Sequence, residues 1–307
     1  MARPSRRVLL ALGALPAAAA LVLGALAVAT PSAGALLRQD PRTTELLEQR
    51  RAEARAAGRP FRPRMQIVPL DRLSPRLVEA VLLAEDASFW VHRGFDWREL
   101  RLAAGAALSR GRLGRGASTV TQQLAKNLWL GTDRSLWRKA REAVLAWKLE
   151  RALPKRRILA LYLGVAEWGD GVFGAEEAAR HWFGMPARDL DLARSALLAS
   201  MLPAPRRAEL PRAPRWLAGR ARRLLDRMRE VGRIGDEEHA RAAAELERLL
   251  AGERGDPGRE LDRDLDPDFD VDLGEAPSPS LDPSPSPSGE EDVPPRPTAP
   301  PDTPRAN

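Results

Sequence analysis

Three short stretches hold the residue types that could do chemistry. The first is Ala84-Glu85-Asp86-Ala87-Ser88-Phe89-Trp90-Val91-His92-Arg93-Gly94. On a helix starting at Pro75, an apolar stripe runs Leu77, Val81, Ala84, Ser88, and Glu85 follows Val81 by four, on that stripe. A carboxylate held against apolar surface loses hydration and its pKa rises. That suits a general base or acid working near neutrality. The plainer alternative is a stripe-edge carboxylate, in water or paired with an arginine.

The second stretch is Gly114-Arg115-Gly116-Ala117-Ser118-Thr119-Val120-Thr121-Gln122-Gln123-Leu124-Ala125-Lys126-Asn127. Gly111, Gly114 and Gly116 make a loop, and Thr119 and Gln122 stand at capping-box spacing at the start of a helix. A helix N-terminus with clustered hydroxyls and amides suits an anion or a sugar. The lysine-serine ending of a nucleotide-binding loop is absent. The third stretch is Arg134-Ser-Leu-Trp-Arg138-Lys139-Ala-Arg141-Glu142, where Arg138 and Lys139 stand four and three residues before Glu142. Such pairs are either an ordinary surface ion pair or a cationic cluster beside a second carboxylate, able to hold a pyrophosphate.

In this order the stretches closely resemble glycosyltransferase family 51, and within it the monofunctional biosynthetic peptidoglycan transglycosylases. The resemblance rests on Glu85-Asp86-x-x-Phe89-x-x-His92-x-Gly94, Gly116-x-Ser118-Thr119-x-Thr121-Gln122-Gln123-Leu124-x-Lys126-Asn127 and Arg138-Lys139-x-x-Glu142. Lys155-Arg156-Arg157-Ile158-Leu159-x-x-Tyr162-Leu163 and Ala166-Glu167-Trp168-Gly169-x-Gly171-x-Phe173-Gly174 follow, and the whole covers residues 66–215. Two positions depart from the family pattern: Ala160 stands where a glutamate is usual and Gly164 where an asparagine is usual.

The resemblance implies an inverting glycosyltransferase that polymerises lipid II into β-1,4 glycan strands and releases polyprenyl pyrophosphate. It implies Glu85 as base and Glu142 as second carboxylate, either assisting the leaving group or only holding Arg138 and Lys139. Lys126, Arg134, Arg138 and Lys139 are the implied pyrophosphate cations. Ser118, Thr119, Gln122, Gln123 and Asn127 are implied contacts to substrate, with Asp86, Phe89 and His92 in support. No cofactor is obligatory, and a divalent cation (Mg2+ or Mn2+) at the pyrophosphate is an open alternative. Expected partners are lipid II, the lipid-linked glycan chain, the membrane and other wall-synthesis and division proteins, with no nucleic acid. No Ser-x-x-Lys and no Lys-Thr-Gly occurs in the sequence, so transpeptidase activity is not expected.

The elements that must position these residues are helical. Ser74 and Pro75 read as a cap and first helical residue, Leu190 to Leu202 as an apolar helix ended by Pro203, and strand signals are nearly absent. The expected fold is all-α and lysozyme-like, with one N-terminal transmembrane helix and a disordered C-terminal tail. Val8 to Ala29 carries no charge and follows Arg3, Arg6 and Arg7; at about 1.5 Å per residue it spans a bilayer core of about 30 Å. A cleaved signal peptide is the alternative, and both readings put the body outside the cytoplasmic membrane. The expected divisions are 1–36 cytoplasmic start and anchor, 37–65 juxtamembrane helix and linker, 66–250 catalytic domain and 251–307 acidic Pro/Ser-rich tail.

Composition bounds the rest. The chain has 307 residues, no cysteine and three scattered histidines (His92, His181, His239), which leaves no disulfide or thiolate metal site. The net charge of +7 combines a basic body of +17 with a tail, residues 253–307, of −10. A basic body favours an anionic partner, either a phosphate-bearing substrate or acidic headgroups. Two rivals stay open at this point: a lytic enzyme of related fold, and an inactive scaffold suggested by Ala160, Gly164 and the acidic tail.

Overall fold

The computed structural model describes residues 21–110, 118–132, 135–210 and 213–251. The expectations that fall on residues 1–20, the glycine loop before Ser118, Arg134 and the tail lie outside them. Helical residues 21–29 (α1) are followed by Glu45–Ala56 (α2), Pro75–Glu85 (α3), Trp97–Arg110 (α4), Val120–Trp129 (α5) and Leu136–Ala152 (α6). Then come Lys155–Val165 (α7), the strands Glu167–Gly169 (β1) and Val172–Phe173 (β2), Ala175–Phe183 (α8), Leu192–Met201 (α9), Arg215–Glu230 (α10) and Asp236–Ala251 (α11). No helix among the described residues is long and apolar enough to cross a membrane, and only the end of the Val8–Ala29 segment falls within them.

Helix α9 is the hub of one half of the core. Its residues Ala193, Ala196, Leu197, Leu198 and Ala199 are all but inaccessible, and it packs against α3, α10 and α11. The small side chains let neighbouring backbones come close, and the leucines supply the area removed from water. In the other half α5 packs against α6, α7 and α2, with Leu124, Leu145, Leu149, Ile158, Leu159 and Leu161 fully buried.

Several helix starts differ in detail from the expectation. Ser74 does precede Pro75, but its hydroxyl donates to the Leu190 carbonyl at 2.7 Å and does not cap α3. The bond ties the start of α3 to the segment before α9. The apolar helix expected from Leu190 starts at Leu192, because Asp191 accepts from the Arg194 N–H at 2.8 Å and caps it there. The juxtamembrane helix expected within 37–65 is Glu45–Ala56, capped by Thr44 with Glu45 and Glu48 in its first turn. An antiparallel hairpin, β1 with β2, is the one strand feature among the described residues, turned at Gly171 with φ 76°.

Gly164 has a packing reason. A Cβ there would stand 2.4 Å from Ile67 Cγ1 and 2.9 Å from Ile67 Cα. The linker after α2 therefore runs against α7 where a side chain at 164 would otherwise project.

Candidate functional site

The site grows from the end of α3. Asp86, its C-cap residue, accepts from the Val120 N–H at 2.9 Å, at the start of α5, and from His92 Nε2 at 2.9 Å. His92 Nδ1 accepts from the Gly94 N–H at 3.1 Å, which assigns the proton to Nε2. Thr119 donates its hydroxyl to the Gly94 carbonyl at 2.8 Å and closes the capping box with Gln122. Asp86, His92, Gly94 and Thr119 thus stitch the first of the three sequence stretches to the second. Phe89 is fully buried beneath them, with the Lys155 ammonium 4.3 Å from its ring centroid. Lys155 also pairs with Glu150 at 2.7 Å, and Thr121 donates to the same carboxylate at 2.6 Å.

Glu85 is the last residue of α3, one position before this brace. Its Oε2 accepts from Gln123 Nε2 at 2.9 Å, and Gln123 Oε1 accepts from the Tyr162 hydroxyl at 3.1 Å. Burial drives the Glu85 pKa above the usual carboxylate range. The Arg220 guanidinium, the Gln123 bond and the Lys126 ammonium oppose that rise, and Asp86 adds to it. Burial likewise raises the Tyr162 phenol well above its ordinary value, with Glu85 and Asp86 adding to the effect. Tyr162 therefore stays a donor at any working pH.

The cations come from α5 and α6. Ser135 caps α6 by accepting from the Arg138 N–H at 3.0 Å. The first turn of α6 has no acidic residue, and Arg138, Lys139 and Arg141 stand near it. That is the reverse of what the helix dipole favours for stability, and it concentrates positive potential there. Glu142 is buried, with Arg138 Nη1 2.7 Å from one oxygen and Lys139 Nζ bonded to the other. Lys139 also donates to Ser118 Oγ at 2.9 Å, bridging α6 to the segment that leads into α5. Lys126 stands between the groups. Burial lowers its pKa, Glu142 and Glu85 pull it back up, and Arg138 and Lys139 push it down.

The bonds therefore group Glu85 with Gln123, and Glu142 with Arg138, Lys139 and, through Lys139, Ser118, with Lys126 within electrostatic reach of both carboxylates. Thr119, Gln122, Asp86, Phe89 and His92 form the frame. Asn127 is buried on α5 and joins neither carboxylate among the described residues. The described residues hold no group of three His, Asp or Glu side chains able to bind a metal.

Arg220 escaped the reading of the sequence. Its Nη2 lies 3.4 Å from Glu85 Oε1, its side chain is 8% exposed, and its Nε is buried without a partner. Burial lowers its pKa and Glu85 opposes that. The signal was a charge inside the apolar stripe of α10, between Leu217 and Ala221, Leu224 and Met228, all buried.

Comparison with known proteins gives the family. The family described as transglycosylase matches residues 53–229. A biosynthetic peptidoglycan transglycosylase of Laribacter hongkongensis is 42% identical over 192 residues, covering 62% of this chain and 84% of that protein. Proteins of the same name match from Methylobacillus flagellatus, 49% identical over 53% of this chain and 72% of that one, and from Bordetella pertussis, 45% over 63% and 81%.

Proposed function

The chain belongs to the transglycosylase family and is a peptidoglycan glycosyltransferase of cell-wall synthesis, and on that premise we propose how its residues divide the work. The donor is a growing glycan linked through a pyrophosphate to a polyprenyl lipid, and the acceptor is lipid II. Glu85 takes the proton from the acceptor's 4-hydroxyl as that oxygen attacks the donor's anomeric carbon. The bond to the pyrophosphate breaks with inversion, a β-1,4 bond forms, and polyprenyl pyrophosphate leaves.

The observation that supports this reading is the shared field at Lys126. The half-buried Lys126 ammonium lies within electrostatic reach of both carboxylates and of Arg138 and Lys139, so a leaving group beside it meets those cations together. Fixed cations in a partly dry site stabilise developing charge without reorganising. Glu142 holds Arg138 and Lys139 in place. Glu142 is also the carboxylate that would hold a Mg2+ or Mn2+, which would supply further positive charge to the leaving pyrophosphate. Ser118 offers a hydroxyl and Gln123 an amide to sugar and phosphate oxygens, whereas the Thr119 hydroxyl, expected to touch substrate, is buried and spent on the Gly94 carbonyl.

We also read residues 8–29 as a membrane anchor that keeps the catalytic domain on the extracytoplasmic side, where lipid-linked substrates lie. The full chain, supplied with labelled lipid II with and without divalent metal, should yield polymer longer than the substrate on a gel. Shortening of preformed glycan with no elongation would favour a lytic reaction instead.

A further inference from the structure

The end of α1 is docked onto the outer face of α6. Lys148 Nζ donates to the Thr30 carbonyl at 2.7 Å and the Pro31 carbonyl at 3.3 Å, capping the C-terminal carbonyls of α1 with a cation. Leu26 and Ala33 are buried. One turn along α6 the Arg151 guanidinium stacks 5.0 Å from the centroid of the Trp147 ring. Trp147 is 46% exposed. Among the described residues Arg151 has no carboxylate partner. Between these side chains and Ser32, Ala33 and Gly34 lies a cavity of about 240 Å³, floored by Ala152.

If residues 8–29 span the bilayer, Thr30 to Gly34 leave it at the outer headgroup layer, and the side chains sharing this cavity lie at the same depth. Tryptophan favours that layer, with its ring against acyl chains and its N–H in water. A guanidinium there meets lipid phosphates. We propose that the cavity framed by Trp147, Lys148, Arg151 and Ser32–Gly34 binds the headgroup of an anionic phospholipid. The inference rests on the anchor reading above. Arg151 holds the lipid phosphate while Trp147 covers the upper acyl chains. Lys148 fixes the angle between anchor and catalytic domain, and the bound lipid makes that angle firmer.

The test is native mass spectrometry of the full chain in detergent, with phosphatidylglycerol and phosphatidylcholine added in equal amounts. The wild type should retain phosphatidylglycerol in preference by about fivefold or more, the factor one basic residue is worth at an anionic surface. Trp147→Ala with Arg151→Gln should bring the ratio near parity while lipid II polymerisation in detergent stays within about twofold, both residues lying away from Glu85 and Glu142. An unchanged preference in the double variant would overturn the site. Displacement of the lipid by millimolar inorganic phosphate would do so too, by showing a free-anion site. Flotation with pure phosphatidylcholine vesicles separates the two readings. A chain that fails to float has no anchor, whereas one that floats without lipid preference has an anchor and no such site.

Discussion

Gln123 Nε2 stands 2.9 Å from Glu85 Oε2, and its own amide oxygen is held by Tyr162 at 3.1 Å. A phenol that never ionises near neutrality fixes which end of the amide faces the carboxylate. Glu85 is thereby kept in one rotamer, with its Oε2 held by the amide. Gln123→Leu should remove a bond to a charged group, worth about 1.5–3 kcal/mol. The acid limb of the rate–pH profile should then move up by about one to two units, since a base less stabilised as an anion protonates sooner. Tyr162→Phe should produce a smaller shift in the same direction, read in the same titration.

Arg220 acts on the other oxygen. It is the largest influence opposing the rise that burial imposes on Glu85. Glu85 must be ionised to act as base, so activity falls as pH drops through its raised pKa. Arg220→Met should push that limb further upward and leave the alkaline plateau less affected, provided circular dichroism shows the variant folded. A limb at unchanged pH would mean that Arg220 is only a packing residue.

Among the described residues Lys139 is the one cation that touches both Ser118 and Glu142. Lys139→Ala should lower polymerisation by about 10²–10³-fold, the scale of losing one preorganised charge at a developing anion. Lys139→Arg should recover part of the loss. Turnover at saturating lipid II separates this from a binding defect.

Gly164 tests packing against the linker. Gly164→Asn restores the usual family residue but drives a Cβ into Ile67. The expected cost is about 1–3 kcal/mol from overpacking, read as a lower thermal midpoint. Unchanged stability would mean that the 65–68 segment yields easily.

Much of this was legible in the residues before any coordinates. The capping box of Thr119 and Gln122, the stripe placing Glu85 against apolar surface, and the Arg138–Lys139–Glu142 face all depend on helical spacing, which a linear pattern carries directly. His92 and Asp86 were expected as support, and the hydrogen bonds to Gly94 and Val120 agree with that. The failures are long-range. Arg220 lies 135 residues from Glu85, and nothing local says which helix faces which. The serine at 74 was expected to cap, but a tertiary acceptor 116 residues away took its hydroxyl. The strands of the hairpin are three and two residues long, below the length at which alternation is readable. Gly164 is the point of close approach for Ile67, a contact no spacing rule supplies.

The central claim is that Glu85 removes the acceptor's proton. Glu85→Gln preserves shape and leaves an amide beside Gln123 and Arg220, so the fold and lipid II binding should persist. Its polymerisation rate, followed with labelled lipid II, should drop by about 10²–10⁴-fold at every pH, the range typical of losing a general base. Wild-type-like polymer from the purified variant would contradict the account.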